Sequence, residues 1–278
     1  MNTPMINAAS GMRALQIKMD TLANNIANVN TTGFKSHETN FTTLLTREID
    51  NQPYPQYEQG RLTPNHIRPG VGVKETAQQI DFTQGTIKQT DVPTDLYLEG
   101  DAFFAIRQQG IPGRQAGATG PVLTRDGSFK LRPLAGNPAR VELVTAQGDA
   151  VMGVNGQPIV LPAAATDLKV SDKGQFSYRI GAGARVPGPA LALYSVQNPY
   201  RLQSLGDNLY TVPQAADAST TIPADVRVRQ GGLEMSNVDL RKEMTTLIET
   251  QRALQFNARA LSYSDQMAGV TNQIYKGG

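Results

Sequence analysis

The chain has 278 residues, no cysteine, two histidines and a net charge of +2, with 39% hydrophobic and 18% charged residues. The cysteine count excludes a disulfide framework, thiolate metal ligands and a cysteine nucleophile. The charge is spread, not striped: Arg13, Lys18, Lys35 and Arg47 stand against Asp20, Glu38, Glu48 and Asp50, and residues 232–278 carry five basic and five acidic residues. No basic stripe interleaved with aromatics appears, so nucleic acid is not an expected partner.

Taken from the start, Met1–Met5 lacks a basic region followed by an apolar one, so no cleaved secretory signal is expected. No apolar run nears the roughly 18 residues needed to span a bilayer, and membrane insertion is not expected. From residue 4 to 29 a seven-residue rhythm predicts a helix. Met5, Met12, Met19 and Ile26 form one row, and Ala8, Leu15, Leu22 and Val29 the row three places on. Pro4 suits a first turn, and Asn28–Gly33 provides a stop in which Gly33 can take a positive φ. On that reading Gly33→Val is costly and Gly33→Asn far better tolerated.

Residues 52–72, with Pro53, Pro55, Pro64 and Pro69, read as an extended arm or linker. Between 73 and 228 short β-favouring runs alternate with turn signals. The runs include Asp95–Glu99, Phe103–Ile106, Ser128–Leu131, Val141–Val144, Gln175–Ile180 and Leu191–Tyr194, with turns at Asp126-Gly127 and Asn155-Gly156. A second helix is expected over 238–274, opened by a capping box at Ser236-x-x-Asp239 with Asn237 as a rival cap. Leu240, Leu247, Leu254 and Leu261 repeat every seven residues, Met244, Ile248 and Ala258 widen the stripe, and Gln251 and Asp265 interrupt its second row. The expected fold is α+β: long N- and C-terminal helices, whose apolar seams pack on each other, pack on other subunits or stay disordered until assembly, with a central all-β domain of short strands, a distorted barrel or a sandwich. Its expected divisions are 1–34, 35–72, 73–231 and 232–278.

Little points to reaction chemistry. His37 and His66 lack a second ligand at metal-binding spacing, and no dinucleotide fingerprint, nucleophile elbow or Walker loop is present. Asp81, Asp91, Asp95, Glu99 and Asp101 cluster loosely, as carboxylates that cap turns do. No enzyme, cofactor or metal is expected.

Two stretches carry a resemblance. Leu22-Ala-Asn-Asn-Ile-Ala-Asn-Val-Asn-Thr-Thr-Gly-Phe-Lys35 resembles the N-terminal signature of flagellar rod and hook proteins, with Asn24, Asn25, Asn28, Thr32, Gly33 and Phe34 among its positions. Gly232-Leu-Glu-Met-Ser-Asn-Val-Asp-Leu240, with Ile248-Glu-Thr-Gln-Arg-Ala253 and Asn257, resembles the C-terminal one. Ile80–Gly85, Asp95–Phe104, Thr124–Phe129 and Asn198-Pro199 through Tyr210 fit the same family, and Gly70-Val-Gly-Val73 with the Asp95-Leu-x-Leu-x-Gly100 stretch looks more like its distal than its proximal rod type. The resemblance implies a structural subunit of the bacterial flagellar rod in the basal body, delivered by the flagellar type III export apparatus. It implies partners among copies of itself and neighbouring rod and hook proteins. It also implies terminal helices paired as a coiled coil in an inner tube and an outer β layer, which makes the seven-residue rows, Met12, Leu15, Met19, Leu22, Ile26, Leu240, Met244, Leu247, Leu254 and Leu261, the expected assembly seam. Two alternatives stay open: a proximal rod or hook subunit, and a secreted β-domain adhesin or binding module.

Overall fold

A computed structural model describes residues 3–43, 72–76, 78–108, 122–134, 136–181, 183–196, 198–212, 218–219 and 226–276. Most of the Pro-rich arm, with His66, lies outside the described residues. The chain forms two compact units. One gathers residues 1–27, 37–79 and 239–278, and the other residues 28–36 and 80–238.

The first unit holds both long helices, α1 (Thr3–Ala27) and α2 (Leu240–Lys276), packed against each other. Neither is long and apolar enough to cross a membrane. Asp239 caps α2: its carboxylate accepts from the amides of Arg241 at 3.0 Å and Lys242 at 3.3 Å. The cap is thus the last member of the expected capping box. Ser236 turns instead onto the Val238 amide, at 3.3 Å.

Two contacts set how the helices run. The Asn25 amide donates to Glu243 at 3.3 Å, and a Cβ placed on Gly11 would lie 3.3 Å from the Asn257 amide nitrogen. The residue numbers of each pair add to 268, so the helices are antiparallel and in register across fourteen residues of each. A short antiparallel ladder, Phe41–Thr43 with Val73–Glu75, completes this unit. The Ser10 hydroxyl accepts from the Val73 amide at 3.4 Å, and Thr21 accepts from Gln78 at 3.2 Å.

The second unit is built of many short antiparallel strands. Its main sheet runs Val160–Pro162, Asn137–Val144, Ala150–Val151, Phe103–Arg107, Val122–Thr124, Leu209–Thr211, Gln203–Gly206 in spatial order. A three-stranded sheet (Ala165–Val170, Gln175–Ile180, Arg185–Ala190) stands beside it. Among the described residues the sheets close no barrel. Side chains alternate across a strand, and the Phe103-Phe104 pair exploits this to serve two cores. Phe104 enters a cluster with Leu96, Leu98, Phe129, Leu143 and Val228, where it meets the Phe129 ring edge-on at 5.1 Å. Phe103 enters the other, with Ile80, Leu123 and Tyr210, and meets Phe82 edge-on at 5.5 Å. Burial at this density makes Phe104→Ala expensive. The substitution is expected to cost about 3–5 kcal/mol, read as a fall in the urea midpoint of the purified chain.

Candidate functional site

The two signature stretches meet in the second unit, where the segment after α1 lies beside the segment before α2. Thr32 bridges to Met235, the Gly33 amide donates to the Glu234 carbonyl at 2.8 Å, and the Ser36 amide donates to the Asn237 side chain at 2.8 Å. The Asn237 amide group goes on to the Asp81 carbonyl at 2.9 Å and the Thr83 hydroxyl at 3.0 Å. Gly33 has φ +67, the left-handed conformation expected of a helix stop. A Cβ there would also fall 2.5 Å from the Asp126 amide nitrogen and 2.8 Å from the Arg125 carbonyl carbon. Asn at this position is therefore excluded along with Val, because the obstacle is fixed backbone as well as φ.

Beneath this junction three charged side chains are sealed from water. Lys35 is 0% exposed, and Arg125 and Glu234 each 1%. The Lys35 ammonium donates to Glu234 Oε1 at 2.5 Å and to the Thr83 carbonyl at 2.7 Å. The same carboxylate accepts from the Gly85 amide at 3.0 Å and from Arg125 Nη1 at 3.3 Å. Arg125 also reaches the Gly100 carbonyl at 2.9 Å and lies 5.1 Å above the Phe103 ring. Burial pushes the Lys35 pKa down from the ordinary lysine value, and Glu234 opposes that shift. Burial likewise pushes the neighbouring Tyr210 phenol up.

The remaining signature positions divide between the units. In the first, Asn25 is buried and imitates a strand partner: its Oδ1 accepts from the His37 amide at 3.0 Å and its Nδ2 donates to the His37 carbonyl at 2.9 Å. Leu22 is buried beside it, and Asn24 is exposed on α1. In the second, Asn28 accepts the Thr31 hydroxyl at 3.1 Å, the Thr32 carbonyl accepts from Asn208 at 3.0 Å, and Phe34 is buried.

The seam residues do not all face the helix contact. On α1 the buried positions are Ala14, Thr21, Leu22 and Asn25, while Met12, Leu15, Met19 and Ile26 are half-buried on the flank. On α2 the less exposed row is Leu247, Leu254 and Leu261 with Thr250 and Asn257. Leu240 and Met244 stay outside it, 39% and 50% exposed. The second row of α2 thus follows the Leu row by three places, so Gln251 and Asp265 are exposed and interrupt nothing.

The loose carboxylates resolve into local roles. Asp95 accepts the Thr90 hydroxyl at 2.7 Å, Asp81 accepts the Thr83 amide at 2.9 Å, and Glu99 pairs with Arg229 at 3.4 Å. Among the described residues no three acidic or histidine side chains gather as a metal site. Arg125 and Glu234 were not singled out from sequence. The available signal was a lone charge inside each otherwise uncharged or apolar stretch, Val122–Arg125 and Gly231–Val238.

The chain thus pairs its terminal helices in one unit and joins both end signatures in one junction of a many-stranded β unit. Three family models match in chain order. They are Flagella basal body rod protein over residues 5–35, Flagellar hook protein FlgE/F/G D1 domain over 97–178, and Flagellar basal body rod FlgEFG protein C-terminal over 229–274. The chain belongs to the flagellar basal-body rod protein family, whose members are structural and not enzymes, and its likeness is to the FlgG, distal rod type. It is 35% identical to the basal-body rod protein FlgG of Borreliella burgdorferi, covering 96% of both chains. It is 32% identical to FlgG of Agrobacterium fabrum, over 97% of this chain and 98% of that one. Against the hook-basal body complex protein FlhP of Bacillus subtilis the identity is 31%, over 97% and 98%. The chain is thus a structural component of the basal-body rod, within a complex assembled with other axial proteins.

Proposed function

We propose that the chain enters the rod through its two terminal helices, which pack against further copies of itself and against adjoining rod and hook proteins after delivery by the flagellar type III export apparatus. One observation carries this reading. The α1–α2 contact takes the Leu247, Leu254 and Leu261 row of α2 together with the small or polar Gly11, Ala14, Asn25, Thr250 and Asn257, while Met12, Met19, Leu240, Met244 and Ile248 are left half-buried or exposed. Small side chains bring two helices close but bury little apolar surface. The larger apolar groups left on the flanks suit packing against neighbours outside the chain.

The test is a photoreactive residue at Met244 or Ile248 in cells that build flagella. Basal bodies purified after illumination should contain this chain cross-linked to a second copy or to another axial protein. Basal bodies that contain the labelled chain but show it only as an uncross-linked monomer from both positions would overturn the reading.

A further inference from the structure

The buried cluster has an arithmetic that a simple ion pair lacks: two cations, Lys35 and Arg125, share one carboxylate, Glu234. The three come from distant parts of the chain, with 199 residues separating Lys35 from Glu234 and 109 separating Arg125 from Glu234. The cations are unequally placed. Arg125 keeps the Gly100 carbonyl, the Phe103 ring face and the exposed carboxylate of Asp101 at 3.8 Å whether or not Glu234 is present. Lys35 has the Thr83 carbonyl and a weaker attraction to Asp81, and otherwise depends on Glu234. A buried ammonium without a counter-charge is far more costly than a paired one, and a second cation beside it raises that cost.

We infer that Glu234 makes docking of the N-terminal signature segment conditional: Thr32–Ser36 settles on the β unit only when the Gly232–Glu234 strand is already in place to neutralise Lys35. The strand is held independently, pairing through Gly232, Leu233 and Glu234 with Gln89, Lys88 and Ile87. The Gly33 and Ser36 amides then close onto Glu234 and Asn237. Without the carboxylate, the favourable course for Lys35 is to withdraw to solvent and take its segment with it. The core strands, whose contacts do not pass through Lys35, keep their packing. This is local opening of one segment, not loss of the fold.

The experiment is hydrogen exchange, followed peptide by peptide, on the full chain and two variants. In Glu234→Gln, which keeps shape but not charge, residues 28–36 should exchange about tenfold faster or more, while core peptides covering Phe103–Arg107 and Asn137–Val144 are unchanged. Adding Lys35→Met should restore protection of 28–36, because an apolar side chain of similar length fills the site without needing an anion. Three results would overturn the inference. The first is unchanged exchange at 28–36 in Glu234→Gln. The second is loss of protection in the core peptides, or failure to fold, which would make the cluster a support of the whole unit. The third is no recovery in the double variant, which would assign the effect to a lost hydrogen bond and not to an unpaired cation.

Discussion

Gly33→Ala, Gly33→Asn and Gly33→Val are all expected to destabilise the β unit, by about 2–4 kcal/mol or more, and to leave little of the chain in rods. A left-handed residue with a side chain costs roughly 1–2 kcal/mol from backbone sterics alone, and overpacking against a fixed neighbour adds about 1–3 kcal/mol. Here the neighbour is main chain, the Asp126 nitrogen at 2.5 Å and the Arg125 carbonyl carbon at 2.8 Å. No rotamer change can relieve it. Moving residues 125–126 would in turn disturb Arg125 and the Thr124 strand end. Urea denaturation of the purified chain gives the stability, and quantifying secreted against rod-bound protein gives the assembly defect. A Gly33→Asn chain within about 0.5 kcal/mol of the parent would mean that the junction yields where the structure has it rigid.

Leu254→Asp is expected to abolish rod incorporation while the β unit stays folded. Register places Leu254 level with the buried Ala14, in the row of α2 that faces α1. A carboxylate forced into that contact costs several kcal/mol unless it escapes to water. A helix pair whose contact mixes one leucine row with small and polar side chains loses much of its apolar burial with that leucine. Met244→Asp makes an informative partner, since Met244 is half exposed and outside the in-chain contact. It should leave the helical circular dichroism of the monomer unchanged and still block swimming. Leu254→Asp should reduce both. Normal motility with either variant present in rods would remove the corresponding role from the helices.

How far the sequence could be read depended on how local each determinant is. Both helices announce themselves through seven-residue rhythms, and α1 ends near the Asn-rich stop. The strands around Leu96–Glu99, Phe103–Arg107 and Gln175–Ile180 sit where alternation and turn residues place them. The rotation of the helix contact was not legible, because it follows Gly11, Ala14 and Asn25, small or polar positions invisible to an apolar rhythm. Nor was the cap at Asp239, since Ser236, Asn237 and Asp239 are all competent caps and only the path of the chain chooses among them. The Lys35–Glu234–Arg125 cluster was hidden for a stronger reason: its members are joined by tertiary structure alone. Gly33 was half legible. Its positive φ follows from its role as a helix stop, whereas the wall formed by residues 125–126 does not.

The fourteen-residue interval between the Asn25–Glu243 and Gly11–Asn257 contacts equals two heptads. Fourteen residues of an ideal straight helix fall about 40° short of whole turns, roughly 20° for each heptad. Two helices that keep the same faces together over that interval make up the difference by winding around each other in the left-handed sense. Such a pair is a chiral element under torsion. Twist applied in one direction tightens its winding, and twist in the other opens it.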